Sequence, residues 1–336
     1  MEDTINQLSK YLQQTDERIL EEATKLCKGQ TFPVLIPHLV RLTSHNNRTI
    51  SGNALDSLIY MSSEHPECSR QIIALGTVTR LLDSVISASP TNINSRLMLL
   101  TNITTEHEGT LQLLDLKDSE LKGQKLLRLA IRFANPPESL AIPRAEEIKG
   151  LPIMATSFSE DEYQYASFIL MNATLIKEGR EVFYDNPRFF MPAFLEAMSS
   201  PNPIRKQGII GVIRNLCFEA DRHEFMIKQA KILPHIIKPL VPKSIEDNLT
   251  ATEMLQNALS CGAFQGMEPL AENRKNLLET IWLLTQSKVG IEALIKSHIV
   301  FVLREVESCE DNEFNKELTI RIGALIIGKE EEEKNL

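Results

Sequence analysis

Only a few residues in this chain have the types and the spacing that metal or acid–base chemistry requires. His65 and Cys68 are three residues apart, a spacing with which one helix turn could offer both side chains to zinc. Two ligands do not make a zinc site, and Pro66 between them predicts a loop, so we interpret them as unrelated surface residues. His223 lies next to Glu224, as in some general acid–base pairs, but no nucleophile accompanies it. We therefore interpret this segment as a polar turn.

The sequence also lacks the motifs that carry common enzymatic chemistry. It contains no phosphate-binding G-x-x-x-x-G-K-[ST] loop, no dinucleotide-binding glycine pattern, no G-x-S-x-G and no H-E-x-x-H. Trp282 is the single tryptophan, and its helical spacing from Leu278 and Thr285 predicts a packing role in the core. The sequence thus predicts a protein without a catalytic centre, a metal site or a cofactor.

Three asparagines, Asn102, Asn172 and Asn215, recur at one place in similar apolar helices, although asparagine is a poor residue for a helix interior. Each amide needs hydrogen-bond partners. In one interpretation the amides bind backbone groups of an adjacent helix and hold the helices together. In the other, they line a groove together with Arg214 and clamp the backbone of a bound segment. The sequence leaves both interpretations open.

The helices that carry these asparagines form an internal repeat. If Met61, Asn102, Asn172, Asn215 and Leu284 are equivalent, two of the four spacings are 41 and 43 residues. Armadillo and HEAT repeats are ~40 to 47 residues long. Seventeen residues after each of four anchors the chain is again apolar, and only the Asn102 frame fails, at Ser119; the apolar positions are Val78, Phe189, Ile232 and Phe301.

Helical periodicity is widespread, and proline and glycine fall mostly between the periodic segments. Around 165–176 the apolar residues point nearly all round the helix, as expected for a helix between neighbouring repeats. We therefore predict an all-α, armadillo/HEAT-like right-handed helical solenoid over residues 1–329, followed by an acidic tail at 330–336. Two stretches, about 119–160 and 242–272, break the rhythm as divergent or inserted segments. The second is expected to be a long loop with at most one short helix.

Composition narrows the class of partner and the compartment. The 336 residues include 36 Lys and Arg against 45 Asp and Glu, a formal charge of −9 without a basic cluster, which disfavours nucleic acid as a partner. The five cysteines form no C-x-x-C pair, which favours a reducing compartment. There is no apolar leader and no uninterrupted apolar stretch long enough for a membrane span. We expect a cytoplasmic protein that also has access to the nucleus.

At this point a family resemblance is visible in the residues themselves. The strongest segment is RKQGIIGVIRNLCFE at 205–219, followed by HEF at 223–225 and ILP at 232–234. YQYASFILMNAT at 163–174, and the segments 274–284 and 290–306, extend it over about half of the chain. The chain resembles the eukaryotic armadillo-like co-chaperone family that assists folding of translation elongation factor 2. It departs from the family pattern in its 244–266 segment and at Leu216, where the family has a second cysteine.

The resemblance implies a non-enzymatic adaptor that engages partly folded elongation factor 2 and connects it to the cytosolic chaperonin and heat-shock chaperones. The candidate groove residues for this partner are Asn102, Asn172, Arg214 and Asn215. One alternative is a nuclear-import adaptor for basic signal peptides, but such adaptors repeat a tryptophan near the asparagine, and this chain has one tryptophan. A general scaffold is the other alternative, since scaffold and chaperone grooves obey the same packing rules.

Overall fold

The computed structural model describes residues 2–87, 91–116, 122–134 and 161–334, and the regular elements in these ranges are helices. The chain divides into two compact units, an N-terminal unit of Met1–Asn186 and a C-terminal unit of Pro187–Leu336. Ser119 and most of the predicted 119–160 stretch lie outside the described residues. Whether residues 1–329 form a single solenoid stays a prediction.

The N-terminal unit contains eleven described α-helices. They are α1 (Glu2–Tyr11), α2 (Glu17–Leu26), α3 (Ile36–Leu42), α4 (Arg48–Glu64), α5 (Pro66–Ala74), α6 (Thr77–Val85), α7 (Ile93–Ile103), α8 (His107–Leu114), α9 (Gln124–Ala134), α10 (Ala166–Thr174) and α11 (Lys177–Tyr184). In this unit α4 packs against α2 and α7, and α7 packs against α10, so these four helices form a ladder. Seven of the nine residues of α10 are buried, which confirms the prediction of a helix enclosed on nearly all sides.

The C-terminal unit contains nine described α-helices. They are α12 (Pro187–Ala197), α13 (Pro203–Leu216), α14 (Leu233–Ile237), α15 (Lys243–Glu246), α16 (Leu249–Leu259), α17 (Ala271–Leu284), α18 (Lys288–Lys296), α19 (Ile299–Cys309) and α20 (Glu313–Lys334). Here α17 packs against α13 and α20, and α19 packs against α20. The acidic run at 330–333 belongs to the last turns of α20 instead of forming a separate tail, because Glu and Lys are good helix formers.

Local sequence explains where the long helices α4 and α13 begin. The side chain of Asn47 accepts the backbone N–H groups of Thr49 and Ile50 at the start of α4. Asn202 does the same for the first turn of α13, where Pro203 occupies the first helical position. Such caps satisfy backbone N–H groups that have no partner within the helix, and proline lacks the N–H that would be unsatisfied there.

The 242–272 stretch has more helix than the sequence suggested. The structure places two helices in it, α15 and the eleven-residue α16, and leaves a long segment after α16 without regular structure. The α16 helix forms because Asn248 caps its first turn and because Ala251, Leu255 and Leu259 recur every four residues on one buried face. The polar residues around this face concealed its periodicity.

Candidate protein-binding groove

The residues with metal-binding potential are not assembled into a site. His65 is exposed at the start of α5, whereas Cys68 is buried, so the two side chains do not face a common point. Across the ranges that the structure describes, no three His, Cys, Asp or Glu side chains are grouped so that they could hold a metal ion.

His223 lies in the predicted polar turn after α13, but its side chain is buried and bridges two elements. Its Nε2 lies 2.8 Å from the carbonyl oxygen of Cys217, and its Nδ1 lies 2.9 Å from Oγ of Ser287. A carbonyl only accepts, so Nε2 carries a proton and donates it there. Ser287 in turn accepts the Gly290 N–H as the N-cap of α18. His223 therefore connects the turn after α13 to the start of α18, and both of its ring nitrogens are used in these two hydrogen bonds.

Asn102 and Asn172 hold neighbouring helices of the N-terminal ladder together. The amide of Asn102 donates to the Ile59 carbonyl at 3.2 Å and to Ser62 Oγ at 3.0 Å, both on α4. The amide of Asn172 makes the same pair of bonds one layer later, to the Thr101 carbonyl on α7 at 3.1 Å and to Oγ1 of Thr104, directly after α7, at 3.0 Å. This geometry favours the helix-stacking interpretation for both amides. Asn172 is 5% exposed, while Asn102 is partly exposed.

These bonds also correct the register of the repeat. Because Asn102 bridges Ile59 and Ser62 while Asn172 bridges Thr101 and Thr104, Tyr60 and not Met61 is the α4 equivalent of Asn102.

A glycine gives the register in α17. A Cβ on Gly109 would lie about 2 Å from the backbone oxygen of Ile103, and a Cβ on Gly179 equally close to that of Ala173. Ile103 and Ala173 directly follow the asparagines Asn102 and Asn172. Gly290 lies against the Leu284 oxygen in the same way. Leu283, and not Leu284, is therefore the equivalent of the asparagines. Trp282 consequently occupies the position of Thr101 and Met171.

Asn215 is fully buried, and its Oδ1 accepts two hydrogen bonds from Arg214, from Nε at 3.1 Å and from Nη2 at 2.8 Å. Nη1 of Arg214 donates to Oδ1 of Asn276 at 3.1 Å and to Glu279 at 2.8 Å, both on α17. Asn215 thus fixes the orientation of the Arg214 guanidinium. Of the four candidate residues, Arg214 lines a groove, with 19% of its side chain exposed.

This groove lies within the C-terminal unit and is formed by three helices that pack side by side. It has a volume of about 480 Å³ and is lined by Arg214, Phe218, Glu279, Trp282, Leu283, Phe314 and Leu318. These residues come from α13 and the turn after it, from α17, and from the first turns of α20. Phe218 and Phe314 are 46% and 55% exposed. Large apolar side chains open to solvent on one continuous surface are typical of a binding site for another protein.

Trp282 corrects the prediction of a core packing role. It is partly exposed on the groove wall, because Leu277, Leu278, Ile281 and Leu284 already fill the buried face of α17.

Two cations of the chain lie over aromatic rings of the groove. The Arg214 guanidinium carbon is 5.8 Å from the centre of the Phe218 ring, and Lys275 Nζ is 5.6 Å from the centre of the Phe314 ring. Such contacts are attractive because the ring face carries negative charge density. The carboxylate on the wall, Glu279, is paired with Arg214. The surface of the groove is therefore mainly apolar, and its charged side chains are paired with other side chains of the same chain.

A buried ion pair anchors the helix that carries Phe314 and Leu318. Arg274 on α17 donates to both carboxyl oxygens of Glu310, at 2.7 Å and 2.5 Å, and also to Asp311 at 2.8 Å. Arg274 and Glu310 are 4% and 6% exposed. Burial would raise the pKa of the Glu310 carboxyl, but hydrogen bonds from Arg274 and from the Asn312 backbone outweigh it and lower that pKa to about 2. The pair fixes the connection between α19 and α20 against the start of α17.

The sequence did not predict most of the groove residues. Phe218 and Glu279 lie in segments that carry the family resemblance but were not singled out, and Phe314 and Leu318 lie outside those segments. The proximity of all four depends on the packing of α17 against α13 and α20. One usable signal was present. Phe314 is a large apolar residue among polar neighbours at the start of a helix, where the core-facing pattern of α20 has yet to begin.

Comparison with known proteins identifies related chains. The family described as "Domain of unknown function (DUF383)" matches residues 84–260, slightly more than half of the chain. The protein called "Protein HGH1 homolog" in Dictyostelium discoideum is 24% identical over 300 residues, which cover 88% of this chain and 80% of the relative. The Xenopus laevis protein of that name is also 24% identical, covering 89% and 78%. The Homo sapiens protein is 27% identical over 173 residues, covering 50% and 44%.

Solved structures with a similar fold include designed armadillo repeat proteins. One, in complex with the peptide (KR)4, superimposes with a TM-score of 0.60 at 13% identity, covering 87% of this chain and 99% of that protein. Another, described as computationally designed for modular peptide recognition, has a TM-score of 0.53 at 14% identity, covering 82% and 98%. At this identity the likeness speaks for the fold alone. It confirms the predicted all-α, armadillo-like solenoid class.

Proposed function

The chain belongs to the DUF383 family, and from this premise and the groove we propose that it is a non-enzymatic adaptor that binds a protein client. The observation that carries the proposal is the apolar groove with its exposed Phe218 and Phe314 side chains. A partly folded client exposes apolar segments that need such a surface, and burial of apolar area is the main driving force of association. Helical repeat proteins use extended surfaces of this kind to bind other proteins.

For the client we propose translation elongation factor 2 in a partly folded state, delivered to or received from cytosolic chaperones. The support is the family resemblance of residues 205–219, which cover most of α13, and of residues 163–174, which include α10. A cytoplasmic location with access to the nucleus belongs to the same proposal. Among the described residues, no helix has both the length and the apolar character that crossing a bilayer demands.

We assign different tasks to the four candidate residues within this proposal. Arg214 contacts the client, because it lines the groove. Asn215 acts through Arg214, which it holds in place with two hydrogen bonds. Asn102 and Asn172 join neighbouring helices, and Asn102 is the better placed of these two to contact a client as well, because it is partly exposed.

A nuclear-import adaptor is less well supported. That activity needs aromatic side chains free to hold lysine stems, whereas Arg214 and Lys275 already lie over Phe218 and Phe314. In addition, such adaptors have the tryptophan close to an asparagine, whereas the residue after Trp282 is a leucine.

The proposal is tested by depleting the protein from its own cells and measuring the soluble fraction of newly made elongation factor 2 against a control set of other GTPases. We expect selective loss of elongation factor 2 into aggregates. Re-expression of the natural chain and of Ile320→Ala should restore solubility, whereas Phe314→Ala should not, because both side chains are exposed on α20 but only Phe314 lines the groove. Unchanged elongation factor 2 with mislocalised nuclear cargo would overturn the proposal in favour of an import adaptor.

A further inference from the structure

We infer that the groove selects a client segment by one bulky apolar side chain in a locally uncharged stretch, and that it rejects lysine- and arginine-rich peptides. This inference rests on the proposed function and specifies the chemistry of the segment that is bound. It concerns the surface formed by Arg214, Phe218, Glu279, Trp282, Leu283, Phe314 and Leu318.

The first reason is the position of the chain's own cations. A basic side chain entering the groove would be drawn to the faces of its aromatic rings. Arg214 already lies over Phe218, and Lys275 already lies over Phe314. A guest lysine or arginine would therefore find both ring faces already occupied by cations of this chain, and would gain little from either ring.

The second reason is the absence of an unmatched carboxylate to attract a guest cation from within the groove. Glu279 is the acidic residue of the lining, and its Oε2 accepts a hydrogen bond of 2.8 Å from Arg214. On the adjoining surface of α20, Glu317 is paired with Arg321. Within the lining itself, no carboxylate is therefore left unmatched for a guest cation.

The third reason is that the groove can form a hydrogen bond with the backbone of the client segment as well as bury one of its side chains. The guanidinium of Arg214 uses four of its five N–H groups to bind Asn215, Asn276 and Glu279. The fifth can donate to a carbonyl oxygen of an extended segment that lies across α13 and α17. The apolar side chain of that segment then reaches the wall made by Trp282, Leu318 and Phe314, where burial of its surface provides the affinity.

Trp282 provides a direct probe, because it is the single tryptophan of the chain and lines the groove. The full chain is titrated with tryptophan-free peptides while its fluorescence is recorded. The peptides are a short Ser/Gly/Gln sequence with one central Phe, the same sequence with a central Lys, and (KR)4. We expect the Phe peptide to shift the Trp282 emission with an affinity at least about tenfold above that of the other two, and with little dependence on salt.

Two variants make the assignment specific. Phe314→Ala should abolish the response to the Phe peptide, whereas Ile320→Ala should retain it, since Phe314 and Ile320 are both exposed on α20 and only the first lines the groove. Tighter binding of (KR)4, or an unchanged response in Phe314→Ala, would overturn the inference. Binding of purified, partly unfolded elongation factor 2 is measured in parallel. If that client binds but the Phe peptide is not preferred, the inference is wrong and the proposed function still stands. If the client does not bind, the proposed function itself is wrong.

Discussion

The N-terminal and C-terminal units use one position of the repeated helices in different ways; these helices are α7 and α10 in the first unit and α13 and α17 in the second. Directly before the asparagine position, the N-terminal unit has Thr101 and Met171, and the carbonyl of Thr101 accepts the amide of Asn172. At that position the C-terminal unit has Arg214 and Trp282, whose side chains line the groove. Next to this position, the N-terminal helices are joined by neutral amides bound to hydroxyl and carbonyl groups. The C-terminal helices are joined by Arg214 bonded to Asn276 and Glu279.

At this position, the helices of the N-terminal unit mainly contact one another, whereas those of the C-terminal unit also form a surface that a partner can bind. In the N-terminal unit, the amides of Asn102 and Asn172, next to Thr101 and Met171, bind the preceding helix of the ladder. Large side chains there project from the helix surface and form walls that another protein can contact. The C-terminal unit therefore combines a buried ionic framework with an apolar surface, and the two features can be tested separately.

The largest expected effect comes from breaking the ionic framework of the C-terminal unit. Glu310→Gln should lower the free energy of unfolding at pH 7 by about 3 kcal/mol, because it leaves the buried Arg274 without its main partner. Glu317→Gln, which removes the exposed carboxylate paired with Arg321, should change it by less than about 0.5 kcal/mol. Urea unfolding of both variants measures this. Equal effects would show that burial of the Arg274 pair does not matter.

The same pair predicts the response to acid. The folded-state pKa of Glu310, about 2, is below its ordinary value of 4.5, so its contribution is present above pH 4.5 and is lost as pH falls toward 2. By linkage, about 2 kcal/mol should be gone at pH 3. Hydrogen exchange at that pH should show the amides of α17, α19 and α20 losing protection before those of α4, α7 and α10. The opposite order would contradict the contrast between the units.

The sequence predicted the helical repeat, because the asparagine-containing phrases recur in α7, α10 and α13. It missed the register at both ends by one residue, because the apolar runs around Met61 and Leu284 match the phrase equally well in either frame. At the Leu284 end, the glycine seven residues after the asparagine position, as in Gly109 and Gly179, fixes the frame and could have been used. At the Met61 end no glycine stands at that place, and the hydrogen bonds of Asn102 were needed. The groove could not be predicted in this way, since Phe314 comes 100 residues after Arg214 and reaches it only through the packing of α17 against α13 and α20.

The next effect tests a feature that both units share. In Gly179→Ala and Gly290→Ala the new Cβ would lie 1.9 Å from the backbone oxygen of Ala173 or Leu284, so the turn between two helices must move. We expect each variant to lose about 2 kcal/mol of unfolding free energy, the size of other overpacking changes. Gly323→Ala is the control, since nothing lies near its Cβ position and alanine favours a helix. Thermal unfolding should show a gain for that variant, and a gain for Gly179→Ala would refute the proposed register.

A smaller loss is expected from the neutral cross-link of the N-terminal unit. Asn172→Ala removes the amide that donates to Thr101 and Thr104, at a cost of about 1–2 kcal/mol in unfolding free energy. Because that residue lies outside the groove, the affinity for the Phe peptide should stay unchanged. A loss of peptide affinity without a loss of stability would indicate that Asn172 contacts the client directly.

The smallest effect on stability is expected on the groove surface itself. Phe314→Ala should change the free energy of unfolding by no more than about 0.5 kcal/mol, because the side chain is 55% exposed. Calorimetry of this variant beside Ile320→Ala would test that. A large loss of stability in Phe314→Ala alone would mean that the ring serves the fold of α20 and not a partner.

The most direct test of the groove as the client-binding surface uses a fluorine label on its single tryptophan. The chain is produced with 5-fluorotryptophan, so that Trp282 gives one ¹⁹F resonance, and unlabelled, partly unfolded elongation factor 2 is added. We predict that the resonance shifts or broadens as the client binds, and that this change disappears in Phe314→Ala but persists in Ile320→Ala. Client binding detected by sedimentation with an unchanged Trp282 resonance would contradict this account.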